Sequence, residues 1–453
     1  MEHLRDFKKK LDKISPTFCV AKWKQVTTHL ESGLTHSCHH PRAHIVPLDE
    51  LEKNVSALHN TKYKKRMRKD MLDGKIIPEC EYCNRVERHS SGEVSDDFSD
   101  RIYKSSECWA EKYIPEITNS PWDYDIFPSY FEVSFSSACN CSCIYCSPTF
   151  STGWVKEIEK YGGYPTSISS RDFNECPPPK YMGKNDNPYI KAFWKWWPNL
   201  YRNLDSFRIT GGEPLLSKDT FKILDHVIKN PRSDFHLDIN SNFCVSPTIF
   251  TKFISKYKQI AEMNEHVGVF TSCEAKGEKA EYIRPGLKYS EWLENCRNYL
   301  IEVPTGTLTF MCTYNILSIT SFKDFLEDIL ELKKEFRMRV MIDIPLLMSP
   351  FYLQPTLIEK DFMYYIEKSV TLMYNNINIS TWPPLSGTSF WDFEISKLRR
   401  IYNIVAEKYI DKECIRSRKD FAIFIDEHDR RYGTNFLKVF PEYKEFYYRC
   451  KEN

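Results

Sequence analysis

Ser137-Ala-Cys139-Asn-Cys141-Ser-Cys143-Ile-Tyr-Cys146 places four cysteines within eight residues. Three of them, Cys139, Cys143 and Cys146, have the spacing C-x3-C-x2-C. A cubane iron–sulfur cluster has four irons and normally takes four thiolates. Three thiolates from one short loop therefore leave one iron open to a small ligand. Cys141 is an additional thiol, and the triad is complete without it. On spacing alone, a zinc site or incidental thiols stay open.

The chain downstream of the loop narrows the reading. Apolar runs and helical patterns alternate from about residue 126 to about 350, predicting six strands: Tyr130–Ser136, Ser206–Thr210, His236–Asn240, Val267–Thr271, Thr307–Cys312 and Arg339–Ile344. Helical faces lie between several of them, at Lys218–Lys229 and Ser321–Lys333. Strands alternating with helices imply parallel strands with helices packed outside, and six such units make a partial (β/α)6 barrel of α/β class. In such barrels chemistry gathers at the C-terminal ends of the strands. The cysteine loop follows the first predicted strand. Thr210-Gly211-Gly212-Glu213-Pro214 follows the second, where glycines let the backbone approach a ligand closely. Asn240-Ser241-Asn242 follows the third, Ser272 and Glu274 the fourth, and Asn315 the fifth.

The cysteine triad, the aromatic Tyr145 before its last member and the Gly-Gly-Glu-Pro segment one βα unit later resemble the radical S-adenosylmethionine (SAM) superfamily. The resemblance implies a [4Fe–4S] cluster on Cys139, Cys143 and Cys146, whose open iron binds SAM and cleaves it reductively to a 5′-deoxyadenosyl radical. It implies that Gly211, Gly212, Glu213 and Pro214 meet the methionine amino group. Weaker matches assign Ser241 and Asn242, Ser272 and Glu274 (ribose or methionine part), Arg284 (the SAM carboxylate) and Asn315 (the ribose). Each of these also reads as a loop or capping residue.

Ahead of the barrel, residues 1–125 are polar, rich in cysteine and histidine and poor in strand pattern. Thirteen residues separate Cys19 from Gly33 and four separate Gly33 from Cys38; Cys80-Glu-Tyr-Cys83 comes later. The first part resembles the C-x(9–15)-G-x4-C hairpin of SPASM and twitch domains. The resemblance implies an auxiliary [4Fe–4S] cluster on Cys19, Cys38, Cys80 and Cys83, although in familiar enzymes that domain follows the barrel. A four-cysteine zinc site, with His36, His39 and His40 as alternative ligands, stays open, and Cys108 is a spare candidate. The basic run Lys62-Tyr-Lys-Lys-Arg-Met-Arg-Lys69 suggests nucleic acid, but a solvated helix face leading to Cys80 is the favoured reading.

The expected organisation is thus a twitch/SPASM-like domain at 1–125, a radical SAM barrel at 126–355 and a helical extension at 356–453. An insertion at about 148–205 carries Phe193-Trp-Lys-Trp-Trp197, read as a helix packing on the barrel, with a lid over the substrate as the alternative. The chain has 453 residues and a net charge of +1, so no overall field favours nucleic acid or an anionic membrane. No apolar run approaches the roughly 20 residues a membrane helix needs, and the first residues lack the apolar core of a secretory signal. A cytoplasmic enzyme is expected, taking electrons from a donor such as flavodoxin or ferredoxin and abstracting hydrogen from a peptide or a small molecule such as a sugar or alcohol. A non-catalytic iron–sulfur or zinc protein binding a partner or nucleic acid is the competing class.

Overall fold

The structure, a computed structural model, describes residues 2–89, 98–168, 171–264, 266–377, 388–407 and 412–452. Parts of the expected N-terminal domain, of the 148–205 insertion and of the C-terminal extension lie outside the described residues. Nine strands form one sheet: β1 Gln25–His29, β2 Leu34–His36, β3 His44–Ile45, β4 Tyr130–Ser134, β5 Ser206–Thr210, β6 His236–Asn240, β7 Val267–Ser272, β8 Thr307–Met311 and β9 Val340–Asp343. Their order across the sheet is β3-β2-β1-β4-β5-β6-β7-β8-β9. β1, β4 and β5 run parallel to one another, as do β7, β8 and β9, whereas β2 is antiparallel to β1 and β3. The fold is therefore mixed α/β with a mostly parallel sheet. The six expected strands are present within two residues at each end. The first three strands correct the expectation that residues before 126 hold little strand structure.

The chain divides into two compact units. The first comprises Met1–Ser136, Pro179–Gly211 and Asp234–Asp238; the second comprises Ser137–Pro178, Gly212–Ser233 and Ile239–Asn453. In the first unit, β4 and β5 align Phe131 with Phe207 and Val133 with Ile209 on one apolar face. The helix Pro188–Asn203 covers that face. Phe193 packs edge-on to Phe131 at 5.9 Å between ring centres, and Trp197 lies 4.8 Å from Phe207. Asn187 caps the helix by accepting from Tyr189 N and Ile190 N, and its amide donates to Leu30 O at 2.9 Å. The aromatic run is thus a core helix and not a lid.

In the second unit, the helix Phe322–Phe336 buries Phe322, Phe325, Leu326 and Ile329. Trp292 fits between Phe310 of β8 and Phe325. β9 is an edge strand, and an unpaired edge is open to pairing with another chain. Here a fully buried ion pair occupies it. Lys333 donates to Glu394 at 3.0 Å and to Val340 O at 2.9 Å, while Glu394 accepts from Ile342 N and Trp391 N, each at 2.9 Å. No helix among the described residues is long and apolar enough to cross a membrane.

Candidate metal centres and cofactor site

The cysteine loop leaves β4 and is held on several sides within the second unit. Ser142 N donates to Pro285 O (2.9 Å) and Ile144 N to Ile283 O (3.0 Å), so the loop is pinned on either side of Arg284. Trp154 Nε1 donates to Cys143 O at 2.9 Å, Cys139 N to Thr152 Oγ1 at 3.0 Å, and Glu213 N to Ala138 O at 2.6 Å. These contacts fix the backbone that presents Cys139, Cys143 and Cys146 without spending their thiols.

The glycines that follow β5 are required by this loop. A Cβ on Gly212 would stand 2.4 Å from Ala138 O and 2.5 Å from Ser137 O. Gly211 has φ +134°, a conformation open to glycine, and a Cβ there would meet Ser136 O at 2.5 Å. The close approach they permit is to the loop's own carbonyls. Glu213 is fully buried and its carboxylate accepts from Leu215 N, Ser241 Oγ and Asn242 N (2.9, 2.9 and 2.6 Å). Burial pushes its pKa up to about 7, against the pull of those three hydrogen bonds. It pins the turn after β6 to the Gly-Gly-Glu segment, and Pro214 opens a buried turn behind it.

Arg284 is nearly fully buried and committed. It grips Glu274 through Nε and Nη2 (2.7 Å at the shortest), donates to Tyr145 Oη, and sets Nη1 3.3 Å from Cys143 Sγ; Tyr145 Oη donates to Glu274 at 3.1 Å. Burial pushes the Cys143 thiol well above its usual value, with Arg284 pulling the other way. Asn242 Nδ2 donates to Asn140 Oδ1 at 2.9 Å and lies 3.5 and 3.9 Å from the sulfurs of Cys141 and Cys139. Ser241 is spent on Glu213 and on Phe243 N. Asn315 is buried within its own turn, accepting from Leu317 N and donating to Thr313 O. Ser272 ends β7, half-buried and paired in register with Met311. The structure thus brings together the cysteine loop, Glu213, Ser241, Asn242, Glu274 and Arg284. Sequence reasoning missed Asn140, Thr152 and Trp154, which hold the loop. It also missed Cys244, whose carbonyl accepts from Asn140 Nδ2 at 2.8 Å. No motif flags them, because their role is backbone support.

In the first unit, β1 and β2 form the hairpin between Cys19 and Cys38. Gly33 turns it at φ +74°, and a Cβ there would stand 2.2 Å from the Tyr189 ring. Gly33→Ala is therefore expected to lower stability by on the order of 3 kcal/mol, combining backbone strain with overpacking. Gly74 has φ +75° but nothing nearer than 3.7 Å, so Gly74→Ala should cost only about 1 kcal/mol of strain. Equal shifts of the urea midpoint would show that the Tyr189 contact is irrelevant.

Cys19, Cys38, Cys80 and Cys83 line one pocket, together with Lys22 and Arg101. Beneath it lies an apolar core of Phe7, Leu11, Phe18, Trp23, Met71 and Ile102, against which Cys19 and Cys80 pack. Burial pushes the thiols of Cys38 and Cys80 up to about 11 and that of Cys83 up to about 12. Lys22 is buried and paired with Glu79. Arg101 bridges Asp12 and Glu87 and donates to Phe18 O. His36 gives its Nδ1 proton to Cys38 O at 2.6 Å, and His39 is exposed. His40 lines the pocket but is held by Asp100 (2.8 Å) and stacked on Tyr82. Cys108 is exposed.

The basic run corrects the expectation of a solvated face. It forms the helix Lys62–Leu72, and Lys64 and Arg68 point inward, both essentially fully buried. Lys64 donates to Thr35 Oγ1 at 2.7 Å; Arg68 donates to Lys22 O, Asn60 Oδ1 and His59 O. Among the described residues neither has a carboxylate at ion-pair distance.

Among the described residues no three His, Cys, Asp or Glu side chains meet closely enough to grip a single metal ion. The donor chemistry fits iron–sulfur clusters in both units: soft thiols, mostly half-buried, with cationic side chains beside them. A cubane spaces its thiolates more widely than a single ion does.

No protein-family model matches the chain, and no protein of curated function matches it. Solved structures similar to it include SuiB of Streptococcus suis bound to the precursor peptide SuiA (11% identity, 82% of this chain and 72% of that one, TM-score 0.35). SuiB bound to S-adenosylmethionine is also similar (11% identity, 78% and 69%, TM-score 0.32). So is TYW1 with a lysine-pyruvate adduct bound (15% identity, 65% and 82%, TM-score 0.29).

Proposed function

We propose that this chain is a radical SAM enzyme, with a [4Fe–4S] cluster on Cys139, Cys143 and Cys146 and a second, closed cluster on Cys19, Cys38, Cys80 and Cys83. The observation that carries the reading is the construction of the cysteine loop. Its backbone is pinned by contacts to Thr152, Trp154, Pro285 and Ile283, none of which uses a motif thiol. When bound at the open iron, SAM would supply a 5′-deoxyadenosyl radical, which takes a hydrogen atom from a substrate C–H bond.

The residues proposed to receive SAM divide by how much they must move. The backbone of Gly211, Gly212 and Glu213 can meet an amino group as it stands, because the Glu213 carboxylate is already spent inside the protein. Ser272 lies at a strand end and Asn242 beside the sulfurs. Arg284 would have to release Glu274 before it could meet a carboxylate; as it stands it orients the Cys143 thiol. The proposed substrate class is a peptide or a small alcohol or sugar, and the proposed electron source is a flavodoxin or ferredoxin.

Anaerobic reconstitution tests the reading directly. The protein is expected to take up about eight irons per chain, two cubanes, and after reduction to convert SAM slowly to 5′-deoxyadenosine and methionine without substrate. Absence of any 5′-deoxyadenosine from iron-loaded, reduced protein would favour the non-catalytic class. About four irons with one tightly held zinc would leave the barrel reading intact and replace the auxiliary cluster by a zinc site.

A further inference from the structure

The four-cysteine pocket of the first unit contains donors with nothing to donate to. Ser37 is 2% exposed, and its Oγ is buried without a hydrogen-bond partner. Asn84 Nδ2 is buried and equally unpartnered. Both residues line the pocket with the four thiols. A buried donor left unpaired costs about 1–3 kcal/mol, and two of them in one pocket point to acceptors that arrive with a guest. The same region also carries two buried cations with no carboxylate at ion-pair distance among the described residues, Lys64 and Arg68. Lys22, itself paired with Glu79, borders the thiols; Arg68 donates to Lys22 O, and Lys64 and Lys22 feel each other's charge as well. A lone buried cation is costly unless something of opposite charge answers it. A metal core held by four thiolates is a polyanion whose sulfurs accept hydrogen bonds.

We infer that Ser37 and Asn84 donate to the sulfurs of the N-terminal centre, that Lys64 and Arg68 carry part of its counter-charge, and that these residues set its reduction potential. This rests on the auxiliary-cluster reading of the four cysteines. Hydrogen bonds to sulfur and nearby positive charge favour the reduced, more negative state and so raise the potential. They are positioning residues, since the thiolates alone hold the metal.

The test is a redox titration of reconstituted protein followed by electron paramagnetic resonance. The signal that SAM does not perturb reports the N-terminal centre; the signal that SAM perturbs is the internal control. In the Ser37→Ala/Asn84→Leu double variant, the reduced-to-oxidised ratio of the first signal at a fixed applied potential should fall about tenfold, equivalent to about 59 mV for one electron. The second signal should not move, and Ser37→Thr should keep the native value. Lys64→Met should shift the first signal in the same direction, while Lys69→Met, on the same helix but not buried, should not. Lys64→Met also separates charge from packing. The metal-free variant should melt higher than metal-free native protein, because a lone buried cation is gone, and that advantage should shrink or reverse once metal is loaded. Two clusters with an unmoved potential in the double variant would overturn this inference and leave the auxiliary cluster standing. One cluster plus one zinc would overturn both.

Discussion

Cys143→Ala is expected to abolish reductive cleavage of SAM, with 5′-deoxyadenosine falling to the assay background, while Cys141→Ala is expected to retain it. The two positions are two residues apart on one loop, so the contrast depends on what each side chain does. The Cys143 thiol stands 3.3 Å from Arg284 Nη1, and its backbone is held independently through Trp154 and through Cys146 N (2.8 Å). Alanine there removes sulfur without releasing the loop, and two thiolates do not hold an open-iron cubane. The Cys141 thiol is buried and faces Asn242 Nδ2, while its backbone N lies 3.5 Å from Cys139 Sγ and its carbonyl accepts from Ser151. Alanine at 141 leaves the triad complete. Circular dichroism should be native in both variants. A silent Cys141→Ala beside an active Cys143→Ala would show that the ligands are assigned in the wrong register.

The Cys80→Ala/Cys83→Ala double variant should lose about half its iron, from about eight to about four per chain, and with it the signal that SAM leaves unperturbed. Basal SAM cleavage should survive, because the electron that starts the reaction need not pass through that centre. Product formation from the true substrate should fail, since the auxiliary cluster is proposed to accept an electron after hydrogen abstraction or to position the substrate. Metal–thiolate bonds also contribute folding free energy, and Cys83 lies in the helix Glu81–His89, whose Glu87 holds Arg101. The variant must therefore be shown to be folded and to keep the barrel cluster. Normal turnover by such a protein would reduce the N-terminal centre to a structural staple.

How much of this was legible in the sequence depended on whether a feature is local. β4 through β9 read clearly because buried Phe131 and Val133, Phe207 and Ile209, Leu237 and Ile239 recur at period two. β1 did not, because Gln25-Val-Thr-Thr-His29 is buried along nearly its whole length, with polar Thr27 and Thr28 inside, so no alternation survives. The motif cysteines were visible as spacing. The engagement of Arg284 with Glu274 and Cys143 was not, because its partners lie 10 and 141 residues away in the chain. Asn315 and Ser241 looked like ligand contacts and are held by their surroundings, since an amide or hydroxyl at a strand end reads the same either way. Lys64 and Arg68 read as solvated because a run of like charges usually is; a helix can nonetheless turn two of its cations inward, and only their neighbours disclose it.

The ion pair at β9 has a consequence for how copies of this chain meet one another. A bare edge strand is an invitation to stack sheet against sheet. Lys333 and Glu394 answer the outward-facing Val340 C=O and Ile342 N–H with side chains of the same molecule, leaving a visiting strand no ladder to extend. The opposite edge, β3, is only two residues long, too short to template much. Even crowded during synthesis, the protein offers a second copy of itself little bare strand at either margin of this sheet.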